Sequence, residues 1–252
     1  MNSWPIVLHY GGGDNSRALA IELVNRKIRP DLILFADTGG ERPQTYANNV
    51  EFSAWLISKG FPEIVVVRDG RKTLEAELLE ANTLPSVAFG FKSCSDKYKI
   101  RPQDRYLKEW QPAIDSWAKG GKVVKLIGYD ADEKHRQKDY DTKRYIVQYP
   151  LAEWGWDRVQ CSNVVRKYGF KPSKSACFYC PNSKPREILA LAKDNPELMA
   201  RALAMEENAS AVTTVKGLGR SWSWAGLLKA DREQLKMFED ESDEMPCGCF
   251  DN

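Results

Sequence analysis

Short, wholly apolar segments alternate with amphipathic segments along the first 70 residues, and this alternation restricts the fold more than any other feature. The apolar segments are too short for helices and lack the alternating polarity of half-exposed strands; they cover residues 4–10, 31–37 and 63–69. Helical patterns fill the intervals at 16–27 and 43–60, the second with Pro43 in its first turn and Gly60 at its end. A strand–helix–strand–helix–strand order builds a parallel sheet through right-handed crossovers. The sequence therefore predicts a doubly wound α/β sheet.

The alternation continues to about residue 150 and then changes in character. A helix around 103–118 and strands at 122–130 and 144–151 complete a predicted, mostly parallel sheet of five strands. Beyond it come tryptophans, cysteines and helical segments at 156–168 and 185–207. We therefore expect an α/β domain at 1–150 and a C-terminal helical, cysteine-bearing subdomain at 151–252.

Composition restricts the partners and the compartment. The 37 Lys and Arg residues against 35 Asp and Glu give a net charge of +2, which predicts no large nucleic-acid surface but leaves room for a local basic groove. No apolar stretch approaches the ~20 residues of a membrane span, and the first ten residues do not resemble a signal peptide. We expect a cytoplasmic protein without membrane contact, in which six cysteines indicate metal or redox chemistry more than disulfides.

Three consecutive glycines follow the first predicted strand. Gly11, Gly12 and Gly13 would let backbone N–H groups approach an anion, and the next helix would add its own N–H groups and positive dipole end. The spacing fits neither the dinucleotide fingerprint nor the P-loop. The alternative is a plain strand–helix turn that is capped by Asp14 or Asn15.

Six segments carry further motifs: YGGGDNS (10–16), FADTGGERPQTY (35–46), CSDKYKIRP (94–102), IGYDADEKHR (127–136), PLAEWGWDRVQC (150–161) and SACFYCP (175–181). In this order they resemble motifs of the phosphoadenosine phosphosulfate (PAPS) reductase-like family of the adenine nucleotide alpha hydrolase, or PP-loop, superfamily. Two positions of the first segment depart from the family pattern S-G-G-x-D-S. Gly11 replaces its usual serine and Asn15 its usual aspartate.

The resemblance implies that residues 1–150 bind an adenine nucleotide, which would be ATP, adenylylsulfate or PAPS. The implied nucleotide contacts are Gly11, Gly12, Gly13, Asn15, Ser16, Phe35, Ala36, Asp37, Thr38 and Gly128. Lys99 and Arg136 occupy basic positions of the motifs and are the expected catalytic cations, because a phosphoanhydride or phosphosulfate needs its charge neutralised. The alternative for each is a solvated surface charge.

Four cysteines are the candidate metal ligands. Cys177 and Cys180 have the C-x-x-C spacing, which serves zinc, an iron–sulfur cluster or a dithiol couple. By the resemblance, Cys94 lies where iron–sulfur-containing adenylylsulfate reductases begin a cysteine pair, but Ser95 replaces the second cysteine. Cys161, at the start of a predicted helix, could supply the missing ligand and complete a set of four. The expected cofactor is a [4Fe–4S] cluster, with Zn²⁺ as the alternative. Cys94 and Cys161 could instead be buried small hydrophobic residues.

The C-terminal stretch PCGC (246–249) stands where the family carries E-C-G-[LI]-H, whose cysteine attacks sulfur. Cys247 is therefore the third expected catalytic residue by resemblance. Two other interpretations stay open: Cys247 or Cys249 could be a metal ligand, or both thiols could be idle.

Two classes of function follow. The first is a PAPS reductase-like enzyme that reduces a sulfonucleotide or transfers sulfur after adenylating a target. A thiol reductant such as thioredoxin, or a nucleic acid that accepts sulfur, would be its partner. The second is a non-catalytic or regulatory nucleotide-binding module with a structural zinc site.

Overall fold

The computed structural model describes residues 4–70, 72–91, 93–137 and 140–243, with side chains up to residue 234. The chain forms two compact units. The first unit consists of Met1–Leu74 and Cys94–Cys177, and the second of Glu75–Ser93 and Phe178–Asn252. The boundary expected near residue 150 falls inside the first unit, because the helices on either side of residue 155 pack against earlier elements of that unit.

The first unit is built on a sheet of parallel strands, as the alternation of apolar and amphipathic segments predicts. Its strands within the described residues are β1 (Ile6–His9), β2 (Leu32–Ala36), β3 (Ile64–Val67), β4 (Val123–Ile127) and β5 (Tyr145–Gln148). Their order across the sheet is β3-β2-β1-β4-β5, and every neighbouring pair is parallel. The predicted fold class, a doubly wound α/β sheet, is therefore confirmed.

Helices cover the sheet and build the second unit. The α-helices of the described residues are α1 (Asp14–Asn25), α2 (Pro43–Ser58), α3 (Leu74–Glu80), α4 (Ser93–Ser95), α5 (Arg101–Glu109), α6 (Gln111–Ala118), α7 (Pro150–Glu153), α8 (Arg158–Lys167), α9 (Pro185–Asp194), α10 (Pro196–Ser210) and α11 (Trp224–Asp243). A π-helix at Asp96–Ile100 and 3₁₀ helices at Ser86–Phe89 and Ala131–Arg136 complete the set. In this described part of the chain, no helix is both long and apolar enough to span a bilayer.

Two segments that were predicted as continuous helices are each broken before a proline. The helix expected at 103–118 divides at Trp110, whose backbone is extended (φ −79°, ψ 117°), because Pro112 follows in the first turn of α6. The segment 185–207 divides at Asn195 (φ −144°, ψ 67°), directly before Pro196. Proline lacks an N–H group and clashes with the preceding helical turn, so it starts a new helix more readily than it continues one.

The core of the first unit has one layer on each face of the sheet. Leu8 and Tyr10 point into the layer formed with α1, α2 and α8, while Val7 points into the opposite layer, which holds Leu107 of α5. Both layers exclude water almost completely at these positions. Strands that are buried on both faces explain the uninterrupted apolar segments of the sequence.

The second unit is organised around two buried carboxylates. Glu75 of α3 makes a two-pronged ion pair with Arg201 of α10. Glu206 accepts hydrogen bonds from the N–H groups of Leu218 (2.7 Å) and Trp224 (2.8 Å), which ties α10 to the start of α11. These contacts connect α3, α10 and α11 to one another.

Candidate functional site

The candidate site lies at the carboxyl ends of β1, β2 and β4. In the order β3-β2-β1-β4-β5, the chain leaves β1 toward β2 on one side, and β4 lies on the other side. Such a switch point opens a crevice outside the carboxyl ends of the strands, where open α/β sheets bind their ligands. The loops that follow β1, β2 and β4 meet at this edge.

The loop after β1 requires glycine at one position above all. Gly12 has φ +77°, and a Cβ atom there would lie 3.2 Å from both the ring of Phe35 and the methyl group of Thr45. Gly11 is exposed, and its Cβ would meet only the Ser16 hydroxyl, at 3.9 Å. The backbone at Gly12 therefore takes a course that other residues would not follow without strain.

The loop directs backbone N–H groups outward at the start of α1. Gly13 is the N-cap residue, and its carbonyl oxygen accepts from the Ser16 hydroxyl (2.9 Å) and from the Arg17 N–H (3.1 Å). No described residue accepts a hydrogen bond from the N–H groups of Gly13, Asp14, Asn15 or Ser16. Four donors and the positive end of a twelve-residue helix thus converge at one place.

The alternative of a side-chain cap does not describe this loop. The Asp14 carboxylate accepts instead from the N–H of Ser173 (2.7 Å) and the hydroxyl of Ser162 (3.0 Å). The Asn15 amide donates to Asp130 (2.8 Å) and Glu133 (3.1 Å). Both side chains therefore hold neighbouring segments, and neither accepts from the loop N–H groups.

Asn15 is adapted to the segment that follows β4. Asp130 is almost completely buried and caps the 3₁₀ helix by accepting from the N–H groups of Asp132 and Glu133. An aspartate at position 15 would add a third carboxylate to this cluster, whereas the amide NH₂ group bridges the two that are present. Gly128 permits the close approach, since a Cβ there would lie 3.1 Å from Ser16 Cα.

Arg136, a predicted catalytic residue, is engaged in the same cluster. Its guanidinium pairs with Glu133 and lies 4.2 Å from the centre of the Tyr129 ring. Tyr129 stacks in turn on Tyr149, with ring centres 5.6 Å apart. Arg136 thus lies next to the loop through Glu133 and Asn15, and its charge is partly neutralised.

The loop after β2 uses its acidic side chain internally. The Asp37 carboxylate accepts from the Gly39 N–H and the Tyr46 hydroxyl, each at 2.8 Å, and forms a two-pronged ion pair with Arg68. Burial and the hydrogen bond to Asp37 raise the pKa of Tyr46, which therefore stays a hydroxyl donor. Phe35 is a core residue of the α1 layer and Ala36 of the opposite layer, so any nucleotide contact there must come from their backbone.

Glu41 connects three predicted site segments. Its side chain is fully buried, and it accepts from Lys99 Nζ (3.4 Å) and from the Ser175 hydroxyl (2.9 Å). Glu41 also forms an isolated antiparallel bridge with Cys177. Lys99, the other predicted catalytic cation, is thereby held at the end of the π-helix beside the sheet edge.

Residues 171–177, which we call the strap, run along this edge. The strap contacts the glycine loop through the Lys171 carbonyl and the Ser173 N–H, which bind Arg17 and Asp14. At its far end, Cys177 Sγ lies 3.1 Å from Thr38 Oγ1 in a hydrogen-bond contact. The structure therefore brings Thr38 and Cys177 together.

Cys161 differs from the other three expected metal ligands in burial, since it is buried and they are half-buried. Cys161 is fully buried in the core between α1 and α8, where burial and the nearby Asp130 and Asp157 raise its pKa to about 12. Cys94 and Cys180 are half-buried, in α4 and in the second unit. Among the described residues, no three Cys, His, Asp or Glu side chains form a metal-binding group, and Cys247 and Cys249 lie outside those residues.

No family model matches the chain, and no curated protein does. The chain is similar in structure to a phosphoadenylyl-sulfate (PAPS) reductase from Candida auris in a phosphate complex, with 17% identity and a TM-score of 0.43 over 68% of this chain and 76% of that one. It is also similar to the U34-tRNA thiolase NcsA from Methanococcus maripaludis with its [4Fe–4S] cluster, with 17% identity and a TM-score of 0.42 over 88% of this chain and 78% of that one. The fold assignment rests on the strand order of the chain itself.

Sequence reasoning missed two charged residues of the site. Arg17 and Glu41 are almost completely buried, at 1% and 3% exposure, although each belongs to a residue type that is seldom buried without a partner. Arg17 could have been suspected, because it stands among apolar residues on the first turns of a buried helix. Glu41 carried no such signal, since its partners Lys99 and Ser175 are remote in sequence.

Proposed function

We propose that the glycine loop binds an adenine nucleotide through its phosphate groups. The observation that carries this proposal is the set of outward N–H groups from Gly13 to Ser16, which no described residue accepts, at the switch point between β1 and β4. Anions bind at such helix starts because the N–H groups and the helix dipole both favour negative charge. The resemblance implies contacts from Gly11, Gly12, Gly13, Ser16 and Thr38, and Asn15 and Gly128 lie beside this helix start.

We further propose that the nucleotide is a substrate, in sulfonucleotide reduction or in sulfur transfer after adenylation. Both reactions need charge neutralised at the α-phosphate or at the departing group. Lys99 lies at this edge and Arg136 is close to the loop, and these two cations support that role. Cys247 stays the predicted nucleophile for reduction.

Calorimetry followed by product analysis tests both parts. Adenosine, AMP, ATP, adenylylsulfate and PAPS are titrated separately into the protein, and we expect binding that strengthens with phosphate or sulfate charge. Incubation with PAPS and thioredoxin should yield sulfite, or incubation with ATP and a nucleic acid should yield AMP and pyrophosphate. Binding without either product would favour the regulatory module, and no heat with any compound would refute nucleotide binding.

The metal centre stays a prediction from the sequence, and the proposed nucleotide binding does not depend on it. The burial of Cys161 in the core between α1 and α8 argues against it as one of the four ligands, and the set of four stays a prediction. Iron, sulfide and zinc should be measured in anaerobically purified wild-type, Cys177→Ala and Cys161→Ala proteins. We expect any bound metal to be lost from the Cys177 variant and kept by the Cys161 variant. Equal loss from both variants would restore Cys161 to the ligand set.

A further inference from the structure

Arg17 is a buried cation directly beneath the glycine loop. It lies one turn into α1, and its residue surface is 1% exposed. The guanidinium donates to the Tyr10 hydroxyl (3.3 Å), the Lys171 carbonyl (3.2 Å) and the Gly12 carbonyl (3.5 Å). All three acceptors are electrically neutral.

No carboxylate of the described residues forms an ion pair with the Arg17 guanidinium, which donates to these three neutral oxygens. A buried ion is costly unless an opposite charge compensates it. The nearest site where an anion would be favoured is the loop above it, which already presents four backbone N–H groups. Arg17 therefore adds a full positive charge to a place that otherwise offers only dipoles.

Arg17 also fixes the direction in which the loop faces. In a trans peptide the C=O and N–H groups point to opposite sides. Because the Gly12 carbonyl points inward toward Arg17, the N–H of Gly13 in the same peptide group points away from the core. The main-chain N–H of Arg17 donates to the Gly13 carbonyl oxygen (3.1 Å) and so fixes the orientation of the next peptide group.

We propose that Arg17 is a positioning residue for phosphate binding, which orients the Gly12–Gly13 peptide toward the ligand and supplies the buried positive charge beneath it. The proposal rests on the proposed function, because it assumes that the loop binds nucleotide phosphates. The hydrogen bond from the Arg17 guanidinium to the Lys171 carbonyl also connects the loop to the strap.

The test compares Arg17→Met, Arg17→Lys and the control Arg26→Met at the other end of α1. Arg26 is the C-cap residue of that helix, pairs with Glu22 and lies over the Trp154 ring. The affinities for ATP and for adenosine are measured by calorimetry, adenosine by competition, together with thermal unfolding. We expect Arg17→Met to weaken ATP at least about tenfold while adenosine changes less than about twofold. Arg17→Lys should recover part of this loss, because it keeps the charge without the fork, and Arg26→Met should bind like wild type.

The ratio of the two affinities separates the outcomes. If Arg17 only supports packing, the variants lose adenosine and ATP equally, and the proposal is wrong. If Arg17→Met does not fold, Arg17→Lys decides, since an unchanged ratio in that variant also refutes the role of the guanidinium geometry. If the wild-type protein binds neither compound, the proposed function itself fails, and this result is distinct from any change of ratio.

Discussion

The loops after β1 and β2 lie at the same edge of the sheet but use their polar groups in opposite ways. The loop after β1 leaves four backbone N–H groups without a described acceptor, and its side chains Asp14 and Asn15 reach away to neighbouring segments. The loop after β2 has both carboxylates buried and occupied, Asp37 by Arg68 and Tyr46, Glu41 by Lys99 and Ser175.

The difference indicates a division of labour between binding and support. Backbone donors bind an anion without a conformational change, because their directions are set by the fold. The carboxylates of the second loop would repel an anion if they were exposed, and their internal pairing removes that repulsion. Substitutions in the first loop should therefore change affinity directly. Those in the second should change stability, and should change affinity only where they alter the charge of a cation at the sheet edge, as at Glu41.

The strongest test of this comparison is Gly12→Ala. The added Cβ meets Phe35 and Thr45 at 3.2 Å, and the left-handed backbone disfavours any side chain. We expect ATP affinity to fall by more than about tenfold and stability by about 1–3 kcal/mol. Calorimetry and urea unfolding measure the two effects. Gly11→Ala is the matched control, since its Cβ meets nothing closer than 3.9 Å, and an equal effect in both variants would contradict the argument.

Asp37→Ala should have the next largest effect, on stability alone. It leaves the Gly39 N–H, the Tyr46 hydroxyl and Arg68 without their acceptor. We expect a loss of about 2–3 kcal/mol in the free energy of unfolding, with the ratio of ATP to adenosine affinity unchanged. Asp96→Ala, which breaks only an exposed ion pair with Arg101, should lose about 0–1 kcal/mol. A selective loss of ATP binding in Asp37→Ala would mean that this loop also binds phosphate.

Glu41→Gln should increase the affinity for ATP. It removes the buried negative charge beside Lys99, so that the cation is less neutralised while the amide can still accept from Ser175. We expect ATP to bind about three- to tenfold more tightly, an effect of roughly 1 kcal/mol. The double variant Glu41→Gln with Lys99→Gln should lose the gain. An unchanged or weaker affinity in the single variant would place Lys99 outside the phosphate site.

The smallest expected effect concerns His9, from which the glycine loop departs. Burial, and then the charge of Lys125, lower its pKa from 6.5 to about 3. Between these values the unfolded chain binds a proton that the folded chain does not, so stability is complete above about pH 6.5 and decreases as the pH falls toward 3. From pH 7 to pH 6 this costs about 0.7 kcal/mol.

Urea unfolding at the two pH values measures this difference. His9→Asn should remove the cost, and His135→Asn, at the exposed second histidine of the chain, should not. If the pH dependence is the same in His9→Asn as in wild type, the end of β1 is more open to water than its contacts indicate.

The sequence alone predicts those elements of the fold that depend on a local pattern of residues. The uninterrupted apolar strands and the glycines after β1 placed the sheet and its carboxyl edge correctly, because burial on both faces leaves a continuous signal. The breaks before Pro112 and Pro196 were missed although the prolines are visible. Their effect depends on whether packing favours two short helices or one kinked helix.

The contacts within the site could not be predicted in the same way. Glu41 meets Lys99 and Ser175 only because three segments converge at the sheet edge, and no local pattern encodes that meeting. The burial of Cys161 could have been predicted from the sequence, since Cys161 precedes Val165 by one helical turn and both lie in the core. The joining of 75–93 with 178–252 in one unit depends on tertiary packing alone.

The spacing of residues in the strap determines which of its side chains contact the sheet edge. Its alternate residues Ser173, Ser175 and Cys177 contact Asn48, Glu41 and Thr38 in turn. Inserting or deleting a single residue there would exchange the serines and the thiol for Lys174 and Ala176 along the whole edge. The length of this short stretch is therefore as much a determinant of where the sulfur atom sits as the cysteine itself.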